Sequence, residues 1–198
     1  MDRDTTRLFE RFDETPRNSR ASSQACEVVI RPARVSDAPR IGRISADREG
    51  TDPERAIAAV ERHLIDDSLG RSRLVLVAEV DGSVVGYGKA RHLDGKAASS
   101  DSSLPEGWYL TGVVVDPCFR RMGVGAALTA ARVRWIAERD SEVYYFANAR
   151  NRVGIALHDG FGFAEIARGP TFGGESFVGG EGVLFRADLG APDGEQSN

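Results

Sequence analysis

Apolar residues recur along the chain with two periods, near every second position and near every third or fourth, and the changes of period predict its elements. Glu27-Val-Val-Ile-Arg-Pro reads as a short strand stopped by Pro32, whose ring nitrogen cannot donate to a ladder. A helix from about Asp37 to Arg48 follows, capped by Ser36 or Asp37, with Ile41 and Ile44 inward. A second helix opens after Asp52 with Pro53 in its first turn and carries Ile57, Val60, Leu64 and Ile65 as its apolar stripe. Two strand-like runs, 73–80 and 83–90, meet through Asp81-Gly82, a dipeptide suited to a tight turn, and predict an antiparallel hairpin.

Residues 94–107 are rich in Ser, Ala and Gly and predict a mobile loop, of a length that often serves as a binding lid. Trp108 to Val115 reads as a strand whose end, Val113-Val-Val, is apolar on both faces and therefore central in a sheet. Asp116-Pro117 stops it. From Val124 onward Ala127, Leu128, Ala131, Trp135 and Ile136 fall at helical spacing, to about Arg139. Val143 to Ala147 is a further buried strand, Asn151 to Asp159 a short helix ending near Gly160 and Gly162, and 163–168 and 182–189 closing strands. A Gly-rich linker, 170–182, joins the last two.

This order suits an α/β fold, a mixed sheet flanked by helices in one domain spanning 27–189. Residues 1–26 are too polar to form a core and are expected to be a disordered arm. Leu8, Phe9 and Phe12 are spaced to share one helical face that could dock on the domain or a neighbour. Residues 190–198 read as a loose tail.

The net charge of -4 gives the molecule no positive field, so nucleic acid and anionic membrane are not expected as partners. Cys26 and Cys118 lack metal-ligand spacing and read as free thiols of a reducing cytoplasm. No apolar run is long enough for a membrane span or a secretory signal, which agrees with a cytoplasmic location.

The strongest chemical signal is Arg120-Arg-Met-Gly-Val-Gly, set between a buried strand and a long helix. Missing side chains at Gly123 and Gly125 let an anion reach the backbone, and the helix N-terminus offers aligned N–H donors. The segment lacks the terminal Lys-Ser/Thr of a nucleotide P-loop and the spacing of the dinucleotide fingerprint, which argues against ATP and NAD.

Val115-Asp-Pro-Cys-Phe-Arg-Arg-Met-Gly-Val-Gly-Ala-Ala-Leu128 resembles the pyrophosphate motif of the GCN5-related N-acetyltransferase (GNAT) family: Arg120, Gly123 and Gly125 match its pattern. Asn151, His158 and Gly162-Phe163 are similar to the family's segment after the fifth strand, and Ile30-Arg-Pro-Ala and Val77 to Gly86 to its earlier strands. The resemblance covers about residues 27–188. It implies a mostly antiparallel sheet of six or seven strands, splayed between strands 4 and 5, with about four helices. Acetyl-CoA would be the cofactor. Its pantetheine arm would lie in the splay against the backbone of Val113, Val114 and Val115 and opposite Asn151, with its pyrophosphate on the N–H groups of Arg121, Met122, Gly123, Val124 and Gly125, flanked by Arg120 and Ala126.

Transfer of an acyl group from a thioester to an amine needs a neutral amine, a donor for the oxyanion and a proton for the thiolate. The resemblance implies a backbone N–H near Val113 as the oxyanion donor. The family's usual acid, a Tyr one residue after the helix Leu, is replaced by His158, whose ordinary pKa leaves both of its forms available. The usual Glu base is replaced by Tyr109, a poor base, which with Thr111 lines the acceptor pocket, holds a relay water or packs in the core. Glu106 is the nearest carboxylate by sequence, and Glu175 and Glu181 are candidates for holding a cationic amine. Trp108, Tyr144 and Tyr145 line the acceptor site or fill core; His63, His92 and Cys118 read as packing or surface residues. The acceptor is expected to be a small amine such as an antibiotic, polyamine or amino acid. Protein or peptide N-acetylation, a cofactor-binding regulatory role and homodimerisation are left open.

Overall fold

The sheet is built around two hairpin-linked strands with β-branched cores, and helices cover it because both of its faces are apolar. The computed structural model describes residues 27–67, 72–94 and 104–191, so the expectations for the N-terminal arm with Cys26, most of the 94–107 loop and most of the 190–198 tail lie outside it. Its elements run β1 (Val29–Pro32), α1 (Ala38–Glu49), α2 (Pro53–Asp67), β2 (Arg73–Val80), β3 (Ser83–Leu93), β4 (Gly107–Val115), α3 (Val124–Ala137), β5 (Glu142–Asn148), α4 (Arg152–Ala156), β6 (Ala164–Gly169), β7 (Thr171–Phe172), β8 (Glu175–Ser176) and β9 (Gly182–Asp188). Seven strands form one sheet in the order β1-β2-β3-β4-β5-β9-β6, and β7 pairs with β8 alone.

Every ladder in the large sheet is antiparallel except β4 with β5. On one face α3 packs through Val124, Leu128 and Ile136 against Leu76, Ala78, Leu110 and Val143. On the other, α1 brings Ile41 and Ile44 to Val75, Val77 and Tyr87, with Leu64 of α2 beside them. A third cluster, of Tyr109, Tyr144, Phe146, Phe172 and Phe177, anchors the β7–β8 hairpin to the sheet.

Three local expectations change. Asp37 precedes α1 but its side chain makes no capping bond to that helix. It accepts instead from Arg34 N at 2.7 Å and from Arg31 Nη1 at 2.7 Å, and Arg31 also reaches Glu79 of β2. A guanidinium on β1 competes better for this carboxylate than the neutral helix amides do. The helix after β5 is shorter than predicted and ends at Ala156, with His158 in the turn beyond. Residues 171–176, read as part of a linker, form the β7–β8 hairpin around Gly173 and Gly174.

The bond to Arg31 holds the Asp37 carboxyl below its ordinary pKa, against the opposing effect of burial. A carboxyl depressed in the folded state stabilises above its unfolded pKa and loses that contribution as pH falls through the folded one. Asp37→Asn is therefore expected to cost about 1–3 kcal/mol at pH 7, with the gap from wild type closing below about pH 4. Urea unfolding of both proteins across that range measures it.

Candidate active site

β4 and β5 are held together at only two positions, Trp108 opposite Val143 and Tyr109 opposite Tyr144. Beyond them the strands diverge and open a cleft of about 1020 Å³, walled by Val113, Val114 and Val115 on one side and Phe146, Ala147 and Asn151 on the other. A parallel strand that loses its neighbour leaves N–H and C=O groups without ladder partners, so this edge of β4 is a natural seat for a ligand with amide groups.

The edge is shaped by a bulge absent from the sequence expectations. The register against β3 steps from Gly88 opposite Val113 to Lys89 opposite Thr111, leaving Gly112 as the extra residue at φ 60°. Glycine takes that conformation without the Cβ clash other residues suffer. Two arginines flank the bulge: Arg132 Nη1 donates to Lys89 O at 2.9 Å from the α3 side, and Arg48 Nη1 to Val113 O at 3.2 Å from the α1 side.

Arg132 is 1% exposed and also donates to Leu128 O at 3.1 Å and Thr129 Oγ1 at 3.0 Å. Among the described residues no carboxylate pairs with it, and burial pulls its pKa down to about 9, still high enough to keep it charged at neutral pH. It fits beneath β3 because Gly88 has no side chain: a Cβ there would lie 2.8 Å from Arg132 Nε. Its place in the stripe of Leu128 and Ile136, four residues from each, was legible as an arginine on an apolar helix face. What it would bond was not.

The phosphate segment leaves β4 through a turn in which Asp116 accepts from Cys118 N at 2.9 Å and from Arg40 Nη2 of α1 at 2.6 Å. Arg121 and Gly123 have φ of 64° and 83°, and Gly123 stands at the N-cap of α3 with no side-chain capping bond. The first amides of this 14-residue helix thus lack a capping side chain where the dipole is positive. Arg120, Arg121, Gly123, Gly125 and Ala126 line the cleft there. The Met122 side chain is exposed and that of Val124 is buried, so these two can offer only backbone.

Asn151 lines the opposite wall and caps α4 by accepting from Gly154 N at 2.9 Å. His158 also lines the cleft, stacked on Tyr145 with ring centroids 4.1 Å apart, but it does not have the ordinary pKa expected for it. Burial pushes it down to about 4, against the raising effect of its bond to Gly154 O, so it is neutral at pH 7. Its Nδ1 lies 2.8 Å from that carbonyl, which can only accept. The proton of the neutral ring therefore sits on Nδ1, and Nε2 is an acceptor rather than the proton donor a departing thiolate needs.

Tyr109 is also corrected. It is fully buried, stacked on Tyr144 at 5.2 Å, and donates its hydroxyl to Pro105 O at 2.7 Å; it packs in the core and does not line the cleft. Thr111 does line it. Trp108 packs edge-on against Trp135 in the core, while Tyr145 faces the cleft. Glu106 is exposed and outside the cleft lining, and Glu181 is engaged by Arg168 at 3.0 Å. Burial raises the pKa of Glu175, with Arg91 opposing. Among the described residues no cluster of ligands could hold a metal ion.

A strand pair splayed over a helix N-terminus, with an open β4 edge, is the architecture of an enzyme that draws an acyl-pantetheine arm through a sheet. The family model for GNAT acetyltransferases matches residues 42–163, well over half of the chain, and the protein belongs to that family. It is an acetyltransferase, and acetyl-CoA is its cofactor. A search of curated protein sequences finds no match. Among solved structures, a ribosomal-protein-alanine N-acetyltransferase from Brucella melitensis is similar at 25% identity and TM-score 0.61, over 81% of this chain and 99% of that one. A proposed acetyltransferase from Salmonella typhimurium, yncA, solved with its cofactor acetyl-CoA, shares the fold at 22% identity and TM-score 0.58, over 84% of this chain and 98% of that one. The ribosomal-protein-S18-alanine N-acetyltransferase of Escherichia coli shares it at 16% identity and TM-score 0.56, over 87% and 99%.

A histidine depressed in the folded state makes the unfolded chain the better proton binder, so stability should fall as pH drops from about 6.5 to about 4. The expected loss from this ring is about 1–3 kcal/mol, and His158→Gln should lack that part of the pH dependence. Nitrogen chemical shifts of His158 should report the neutral Nδ1–H form at pH 6.

Proposed function

We propose that the protein is an N-acetyltransferase that passes acetyl directly from acetyl-CoA to the primary amine of a small molecule, within the cytoplasm. The observation that carries this reading is the continuity of the cleft from the N-terminus of α3, along the open edge of β4, to Thr111 and Arg48 on the α1 side. In this reading the amides at Arg121 to Gly125 hold the pyrophosphate, with Arg120 and Arg121 adding charge. Val113 to Val115 pair with the pantetheine amides, Asn151 faces the arm from the start of α4, and the bulge presents the N–H of Val113 to the thioester carbonyl. Such a donor lowers the barrier because it is already aimed where negative charge develops.

A compact acceptor fits the β7–β8 hairpin. A Cβ on Gly173 would lie 3.1 Å from Leu104 Cδ1 and 3.5 Å from Phe146 Cζ, so the hairpin roofs the sheet next to the cleft. With neutral His158 carrying its proton on Nδ1, Nε2 can accept a hydrogen bond from the incoming amine and orient it, while the low basicity of the ring leaves the amine's proton to pass to water and the thiolate to collect one from solvent. A second reading, transfer to a protein N-terminus, is favoured by the 25% identity to the Brucella alanine acetyltransferase. Small amines and alanine-initiated peptides offered in parallel, with release of free CoA thiol as the readout, separate the two.

Acetyl-CoA at about 100 times its dissociation constant should stabilise the protein by roughly 2.7 kcal/mol. Arg120→Glu should weaken binding by about tenfold or more, since charge-assisted bonds are worth about 1.5–3 kcal/mol. Gly123→Val should weaken it further, because a β-branched residue at φ 83° is strained and narrows the approach to the backbone. Unchanged affinity in both variants would overturn the assigned phosphate site.

A further inference from the structure

The cleft is cationic in a chain whose net charge is -4. Among the described residues that line it are Arg48, Arg120, Arg121, Arg132 and Arg152, against a single carboxylate, Asp47. Arg120 and Arg121 belong to the phosphate segment, Arg152 lies on α4, and Arg132 is tied beneath β3. Arg48 stands apart from these. It sits one residue before the end of α1 and donates by Nη1 to Val113 O at 3.2 Å, so its guanidinium is fixed at the bulge. That is the residue whose N–H the proposed reading gives to the thioester carbonyl. Among the described residues no carboxylate pairs with this guanidinium, and its other N–H groups keep their capacity to donate.

The surroundings favour an anion here over a second cation. Glu181, a candidate for holding a cationic amine, is engaged by Arg168 at 3.0 Å. Burial raises the pKa of Glu175, the other candidate, and so disfavours its charged form. Lys89 and Arg91 share one face of β3, and the charges of Arg48 and Arg91 both act on Lys89; Glu49, bonded to Ser45 Oγ at 2.9 Å, opposes them. Arg91 Nε is buried with no hydrogen-bond partner among the described residues. Lys89 and Arg91 do not line the cleft; they add to its potential, which low-dielectric walls carry into the opening.

We propose that the acceptor is a free α-amino acid, and that Arg48 holds its carboxylate while its amine faces the thioester. An α-amino acid carries amine and carboxylate on one carbon, so a molecule whose nitrogen lies at Val113 brings its carboxylate to the guanidinium bonded there. The planar fork of an arginine suits that group because it can meet both oxygens at once. Asp47, the neighbouring residue in the lining, gives the ammonium a counter-charge until the nitrogen loses its first proton to water. The nitrogen then bonds to the acetyl carbon as the C–S bond breaks, its second proton reaches the CoA thiolate through water, and an N-acetyl amino acid leaves. A peptide N-terminus has a neutral amide where the amino acid is charged, and a polyamine has a further cation; neither gives Arg48 a partner. This inference rests on the acetyl-CoA and small-amine reading of the cleft.

The test offers the full chain acetyl-CoA with the α-amino acids, their carboxamides, spermidine and alanine-initiated peptides, reading free CoA thiol, with thermal stabilisation by acetyl-CoA recorded alongside. The expected result is an amino acid whose kcat/KM exceeds that of its own carboxamide by about tenfold or more, as a lost charge-assisted contact requires. The amide's amine is the less basic of the two, so this comparison leans toward the amide and a preference for the acid is a conservative signal. In Arg48→Gln the ratio of acid to amide should fall toward one, and Arg48→Lys should restore part of it. Arg48 also bonds the bulge, so a role in supporting β4 alone would slow acid and amide equally and leave the ratio unchanged; that outcome overturns the proposal. Carboxamides or spermidine used as well as the acids would overturn it while leaving the small-amine reading in place. Peptides preferred to both would remove that reading too. Stabilisation by acetyl-CoA with no amino acid turned over would overturn the proposal with the cofactor site intact, and absence of stabilisation would remove the site as well.

Discussion

The structure depends on one interrupted interaction, the parallel pairing of β4 with β5. Two paired positions join the halves of the sheet, and past them the strands separate although both continue. Backbone groups turned away from a ladder must be satisfied by something, and desolvating them without partners costs about 1–3 kcal/mol apiece. A sheet can keep such a seam open only if neighbouring parts hold the strands apart. Arg132 and Arg48 contribute from opposite faces by bonding the carbonyls on either side of the bulge, and the aromatic residues of β5 fill the far wall.

Arg132 shows how much this geometry demands. A guanidinium almost wholly withdrawn from water with no carboxylate beside it is an expensive component, tolerated where its donors meet carbonyls that the bulge exposes. The titratable side chains near the cleft are correspondingly modest. His158 is neutral and Tyr109 is sealed in the core, and what the cleft presents instead is the open backbone edge of β4 and the N-terminus of α3, which do not titrate.

Local signals carried most of the architecture. Asp81-Gly82 marks its hairpin, Pro32 and Asp116-Pro117 end their strands, and the apolar stripe of α3 follows its period, because each depends on neighbours within a few residues. The segment from Arg120 to Gly125 was legible for the same reason, being a contiguous loop. What escaped was set by distant partners. The bulge at Gly112 is a matter of register with β3, the role of Arg132 depends on a carbonyl on another strand, and the pKa of His158 is fixed by burial against Tyr145. The β7–β8 hairpin is two residues a side and too short to show a period.

One helix touches both ends of the open edge. Arg40 of α1 grips Asp116, where the phosphate segment begins, and Arg48, two turns along the same helix, grips Val113 at the bulge. The two ends of the edge therefore share a rigid strut. In the reading proposed above, a nucleotide tail at one end and a thioester at the other would lean on the same helix, so that whatever settles at the first end would be felt at the second through α1.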